Sequence, residues 1–239
     1  MNDCRVSCII PAYNEGPRIG HVLSVVFFSR FVDEIIVVND ASTDDTDYFI
    51  EQFLCEYPAA AEKLSYSVHS ENKGKGGAIT TGLALAGGST ILMLDADLNR
   101  LRTECVDQMV VPVLDGKVDM TITSLTRFLY TRVTNIDPLS GMRCLRREIL
   151  DAIDCADTGF SIENQINEYV LKQRIPFIPL LDDYSRYVTK SEKYGFVEGI
   201  RRDHFMHREI RTHVGFSKFV FLSIGMFYYA TKFKYEFLV

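Results

Sequence analysis

The chain has 239 residues, 47% of them hydrophobic and 24% charged, an ordinary globular composition that is long enough for one large core. Its formal net charge of -6 lacks the basic surplus typical of nucleic-acid binders, so nucleic acid is not an expected partner. Six dispersed cysteines (Cys4, Cys8, Cys55, Cys105, Cys144 and Cys155) form no CxxC pair and follow no secretory leader, which predicts reduced, mostly buried thiols in a cytosolic protein.

Val6 to Ile10 is a short apolar run stopped by Pro11, which predicts a buried strand ending in the loop PAYNEGP. Residues 17–30 follow as a helix opened by Pro17, with Ile19, Val22, Leu23, Val26 and Phe27 on one apolar face. Glu34 to Val38 is a second β-branched run, and it ends in NDASTDD, where Ser42 or Thr43 can cap a helix over residues 44–56. A weaker strand at Ser65 to His69 precedes SENKGKGGA, a glycine-rich turn that leads into a helix of small residues stopping at Gly87 and Gly88.

The next segment, ILMLDADLN, carries four apolar residues into Asp95, Ala96, Asp97, Leu98 and Asn99. Side chains of an extended chain alternate with period two, so Asp95, Asp97 and Asn99 are expected on one side. Such a one-sided oxygen cluster suits a hard cation, Mg²⁺ or Mn²⁺, that also binds a substrate's phosphates. A polar turn with solvated aspartates is the plainer alternative.

Strands alternating with helices predict an α/β fold with a mainly parallel sheet and right-handed crossovers, with ligands outside the carboxyl ends of the strands. PAYNE, NDAS and DADLN each follow a predicted strand, so they should share that edge.

Further along, a helix is expected over residues 103–114 and a strand over 118–123, followed by a polar stretch dotted with arginines up to residue 150. Residues 161–174 read as a helix and Pro176 to Leu181 as a last strand. His204, His207 and His213 lie in a basic run best read as an exposed helical face. Residues 219–230, FVFLSIGMFYYA, are almost wholly apolar and are expected to form a helix too short for the roughly 20 residues that span a bilayer. Packing in the core, a homodimer contact and a membrane surface remain open for it, with packing on protein favoured.

In this order and spacing, PAYNE, VVNDAS, NKGKGGA and LDADLN resemble the family-2 glycosyltransferases of the GT-A fold, over residues 5–150 well and beyond them loosely. The resemblance implies a nucleotide-diphospho-sugar donor. Pro11, Ala12 and Tyr13 would approach the base, Glu15 the ribose, and Asp40 a uracil or guanine N–H. Asn39 and Ala41 depart from the common DDGS pattern. Lys75 would meet the base edge or the diphosphate. Asp97 would be the principal metal ligand, Asp95 would contact ribose or the metal through water, and Asn99 stands as a third ligand.

Family members invert the anomeric centre by direct displacement. Glu163, in GFSIENQI, matches the acidic residue facing the acceptor and is the candidate general base, alongside its plainer role as a glutamate at a helix N-terminus. Arg127 and Arg143 match arginines that hold a lipid phosphate in dolichol-phosphate-mannose synthase-like enzymes. The expectation is therefore a GT-A domain over 1–212 with an apolar C-terminal helix over 213–239. Its activity would be hexosyl transfer from a UDP- or GDP-sugar, to a polyprenyl phosphate at a membrane face or to a soluble or glycan hydroxyl. A sugar-phosphate nucleotidyltransferase would show a GxGxR loop where PAYNEG stands, and a non-catalytic nucleotide-sugar-binding protein would not need Asp95 and Asp97 intact.

Overall fold

A computed structural model describes residues 5–125, 137–153, 162–182, 185–187 and 216–237, with residues 197 and 201. Seven strands form one sheet in the order β3-β2-β1-β4-β7-β6-β8. These strands are β1 (Val6–Ala12), β2 (Glu34–Asn39), β3 (Leu64–Val68), β4 (Thr90–Met93), β6 (Met120–Leu125), β7 (Arg143–Arg146) and β8 (Phe177–Asp182). Only β7 runs antiparallel, pairing with β4 on one side and β6 on the other. A second, two-stranded sheet joins β5 (Leu98–Asn99) to β9 (Arg186–Tyr187).

Alternation along β1 explains how the two layers form. Val6, Cys8, Ile10 and Ala12 enter one core with α1 (Gly16–Phe28) and α4 (Thr103–Leu114), together with Ile50 and Phe53 of α2 (Thr46–Glu56). Ile9 enters the other, with α3 (Gly74–Leu85), α5 (Arg147–Asp151) and α6 (Ile162–Gln173). Small residues let α3 lie close to β1: a Cβ at Gly82 would overlap Cγ2 of Ile9.

Several expectations shift. The first strand runs through Pro11 to Ala12. Ile9 O accepts from Leu94 N and Ala12 O from Asp40 N, so alternation turns Pro11 towards β4, whose pairing has already ended at Met93. Its missing N–H therefore interrupts no ladder. Helix α2 starts at Thr46, whose N–H is taken by Asp44 Oδ1 rather than by Ser42 or Thr43. Lys75 lies within the first turn of α3, not in a turn before it. The ladder of β4 ends at Met93, and residues 96–97 form a turn. Even so, Leu94, Ala96 and Leu98 are buried while Asp95, Asp97 and Asn99 are half-buried, so the expected one-sidedness survives.

The arginine-dotted stretch contains β7 and α5. The C-terminal helix, α7 (Phe216–Phe237), is 22 residues long rather than 12, so its length alone does not rule out a span. Its composition does: no described helix is long and apolar enough to cross a membrane. Leu222 and Met226 of α7 are buried, Gly225 lies against Leu171 of α6, and Lys218 pairs with Glu168 at 2.7 Å. Cys8, Cys105 and Cys144 are buried free thiols, whereas Cys55 is exposed. Cys4, Cys155, Arg127, His204, His207 and His213 lie outside the described residues.

Candidate active site

Parallel β1, β2 and β4 place their following loops at one edge, and backbone-to-side-chain bonds knit the first two together. Asn14 N donates to Ser42 Oγ at 3.0 Å, Thr43 N to Asn14 Oδ1 at 2.8 Å, Glu15 N to Thr46 Oγ1 at 3.0 Å and Gly16 N to Asp44 Oδ2 at 3.2 Å. The first two loops each hold one non-glycine residue in the left-handed region, Asn14 (φ 58°) and Ala41 (φ 59°), and Arg100 (φ 59°) follows directly after β5. Backbone strain of this kind concentrates at functional sites.

Asp40 is 3% exposed at the end of β2. Its Oδ1 accepts from Lys73 N at 2.8 Å and faces Nδ1 of His69 at 2.7 Å. Asn39, 1% exposed, is a structural residue: its Nδ2 donates to Asp47 and Tyr66 and its Oδ1 accepts from Ser42 N. The amide thus shapes the turn rather than facing a base. Tyr13 is exposed beside buried Ala12 and half-buried Pro11. Glu15 Oε2 accepts from Arg18 Nε at 2.6 Å, a partner the sequence reading did not foresee.

The centre of the site is Lys75. Its ammonium lies 2.5 Å from Asp95 Oδ1 and 2.6 Å from Glu163 Oε1, joining the first turn of α3, the end of β4 and the first turn of α6. Burial alone would lower its pKa. The charges of Asp95 and Glu163, and the hydrogen bonds they accept, outweigh burial and raise the pKa above the ordinary lysine value. A Cβ at Gly141 would overlap both Asp95 Oδ2 and Lys75 Nζ, so a larger residue there would displace the ends of this pair.

Arg143 is placed otherwise than a phosphate-holding arginine on a loop. It sits on β7, fully buried, where Nε donates to Ser140 O, Nη2 to Pro138 O and Nη1 to Asn167 Oδ1. Its guanidinium braces the loop that covers Lys75, and an acceptor would have to displace that loop to reach it. Sequence reading missed three residues near Glu163. Asp137, which caps Leu139 N, has its pKa raised chiefly by burial, with Glu163 adding to the rise and Leu139 N–H and Arg143 opposing it. Asn167 donates to Pro138 O. Asn164 is 2% exposed, and among the described residues neither its Oδ1 nor its Nδ2 has a partner. Only its adjacency to Glu163 in ENQ could have singled it out.

For a divalent cation the donor set is oxygen only: half-buried Asp97 and Asn99, with Asp95 Oδ1 already on Lys75. No group of three His, Cys, Asp or Glu side chains is poised for a metal among the described residues. That fits a hard cation taking one or two protein ligands and completing its shell with diphosphate oxygens and water.

Comparison with known proteins agrees with this geometry. Residues 7–175 match the family described as Glycosyl transferase family 2, and the chain belongs to it. Among relatives, the dolichol-phosphate mannosyltransferase of Pyrococcus furiosus is 25% identical over 203 residues, covering 72% of this chain and 56% of its own length. The first relatives are covered over 22% to 56% of their lengths, so this chain spans well under two thirds of each. Two solved structures share the fold. A mannosyltransferase from Pyrobaculum calidifontis, in complex with GDP-Man and Mn²⁺, superposes with a TM-score of 0.64 at 21% identity, over 75% of this chain and 55% of its own. Glucosyl-3-phosphoglycerate synthase from Mycobacterium tuberculosis, with Mn²⁺, UDP-glucose and glycerol 3-phosphate, gives 0.65 at 20% identity, over 87% and 79%. The fold is GT-A, a mostly parallel seven-stranded sheet flanked by helices.

Proposed function

We propose that this chain transfers a hexose from a UDP- or GDP-sugar, with inversion at the anomeric carbon, to a lipid-linked phosphate acceptor. The observation that carries the reading is Lys75 bound to both Asp95 and Glu163, because it brings the donor-side aspartate and the acceptor-side glutamate to one point. Asp40 would accept an N–H of the base, Tyr13 would pack on it, and Asp97 with Asn99 would hold the Mg²⁺ or Mn²⁺ that accompanies the diphosphate. A bound cation of this kind neutralises the charge that grows on the departing nucleoside diphosphate. Lys75 holds the carboxylates of Asp95 and Glu163 in fixed positions at the point where donor and acceptor would meet, so neither has to reorganise during transfer. Residues 1–212 would form the catalytic domain and 213–239 a helix that docks it.

An acceptor phosphate is already anionic, so it needs no base, and Glu163 is then free to remain on Lys75. The relative named for dolichol phosphate and the exposed apolar stripe of α7 support this version. Arg127 is the remaining candidate for the phosphate. A second reading, transfer to a soluble or glycan hydroxyl, is favoured by Asn164 in the first turn of α6, a buried amide with no partner among the described residues that suits hydrogen bonding to a hydroxyl.

Transfer of radiolabelled sugar from UDP-glucose and GDP-mannose to a short polyprenyl phosphate and to simple glycosides, with Mn²⁺, decides between them. The lipid version expects turnover on polyprenyl phosphate that survives in Glu163→Gln and falls in Arg127→Ala. Turnover on glycosides alone, abolished in Glu163→Gln, would establish the hydroxyl version. Nucleotide-sugar binding with no transfer to any acceptor would leave a binding protein.

A further inference from the structure

His69 is not part of any motif considered so far, yet the segment carrying it encloses Asp40. His69 N donates to Asn39 O at 2.8 Å, Asn72 Nδ2 to Asp40 O at 3.3 Å and Lys73 N to Asp40 Oδ1 at 2.8 Å. The side chain is 5% exposed, and the imidazole has a partner at each nitrogen: Asp40 Oδ1 at Nδ1, 2.7 Å, and Thr81 Oγ1 at Nε2, 2.8 Å.

Chemistry fixes the direction of these bonds. An ionised carboxylate only accepts, so the proton between His69 and Asp40 sits on Nδ1. Thr81 has one hydroxyl proton, which it can give to Gly77 O, 3.2 Å away, or to Nε2. The first choice makes His69 a cation with both nitrogens donating, and the second a neutral ring, but Nδ1 donates in either case. Oδ1 of Asp40 thus receives two donors, a ring N–H and a backbone N–H, both from the connection between β3 and α3. Among the described residues no partner is recorded for Oδ2.

We infer that His69 is a positioning residue of the base pocket: with Lys73 N it pins Oδ1 of Asp40, so that Oδ2 is presented to a base offering an N–H donor. Uracil (N3–H) and guanine (N1–H) meet that demand, whereas the corresponding N3 of cytosine carries a lone pair. The inference rests on Asp40 contacting the base, as proposed above, and adds the residue that makes this contact selective. Thr81, fixed on α3, holds the far side of the ring and so ties the base pocket to the helix that carries Lys75.

Calorimetric titration of the full chain with UDP, GDP and CDP, each with Mn²⁺, tests this. Whichever of UDP and GDP binds tighter should lose about fivefold to tenfold in affinity in His69→Leu, the size of one ordinary hydrogen bond, while CDP changes less. The preference over CDP therefore narrows. His69→Asn, whose amide N–H can stand where Nδ1–H stood, should restore most of the preference, and Thr81→Val should fall between. Equal losses for all three nucleotides, or no rescue by His69→Asn, would overturn the inference and leave His69 as packing. Unchanged binding in His69→Leu while Asp40→Ala weakens it would also overturn it, with the Asp40 reading intact. Unchanged binding in Asp40→Ala removes the base contact itself, and the inference with it. Circular dichroism identifies a variant that fails to fold; if His69→Leu is one, a folded His69→Asn that loses the preference is the overturning result.

Discussion

Lys75 on α3 and Glu163 on α6 are joined at 2.6 Å, although one belongs to the glycine-rich motif and the other to the segment facing the acceptor. The pairing gives Glu163 a structural duty before any catalytic one. Both side chains are largely enclosed, and Asp95 shares the same ammonium. Removing the cation would leave two carboxylates facing each other with little water to screen them.

Lys75→Met should therefore lower stability by about 2 to 4 kcal/mol, towards the lower end for loss of one partner in a buried pair, because water still reaches part of the site. Urea unfolding measures it. The double variant Lys75→Met, Glu163→Gln should recover part of the loss, since it removes one of the stranded charges. A single variant as stable as the parent would show that the pair contributes nothing to the fold.

Ala41 carries φ 59° in the loop after β2, a conformation in which an L side chain costs roughly 1 to 2 kcal/mol and glycine does not. Glycine gives back part of that gain through its freer unfolded chain. Ala41→Gly should raise stability by about 0.5 to 1 kcal/mol with no change in which nucleotide is bound. A lower melting temperature would mean that the methyl group has packing worth more than the strain.

The first half of the fold was legible because its signals are local. Period-two and period-3.6 patterns, Pro17 and the paired glycines placed β1 to β4 and α1 to α4 within a few residues, while β5 was read as the end of β4. Strand β7 was not legible, because RCLR looks like a charged surface segment until β4 and β6 enclose it. The same holds for the site. Asp95, Asp97 and Asn99 could be put on one side by alternation, whereas Glu163 on Lys75, Asn167 on Arg143 and Asp40 on His69 come from segments more than twenty residues away. The length of α7 was underread because its polar ends, Ser217, Lys218 and the run from Lys232, hid a helix that tertiary packing extends.

Asp137 supplies a pH test. Burial raises its folded pKa, so the folded state keeps this proton to higher pH than the unfolded chain, whose value is about 3.9. Its contribution to stability is fully present below the unfolded value and is lost as pH rises through the folded one. Asp137→Asn keeps an oxygen for Leu139 N and has no charge to desolvate. The variant should melt higher than the parent at pH 7, with the advantage shrinking towards pH 3. An advantage independent of pH would assign it to packing rather than to ionisation.

Helix α7 presents two faces with separate duties. Leu222 and Met226 are buried and Gly225 meets Leu171, whereas Phe221, Ile224 and Tyr228, at 73%, 62% and 66% exposure, recur three and four residues apart as one outward stripe. Deleting the helix would confuse the two faces, because it strips cover from α6, the helix that carries Glu163. Replacing only the stripe, with Phe221→Ser, Ile224→Ser and Tyr228→Ser together, should leave the melting temperature nearly unchanged, as surface substitutions do. If the stripe meets a lipid surface, flotation with phosphatidylcholine–phosphatidylglycerol vesicles should be present in the parent and largely lost in the triple variant. Lysines at the helix ends would add a component that weakens at high salt. Parent protein that never floats, but sediments as a dimer the triple variant cannot form, would assign the stripe to a second copy of the chain.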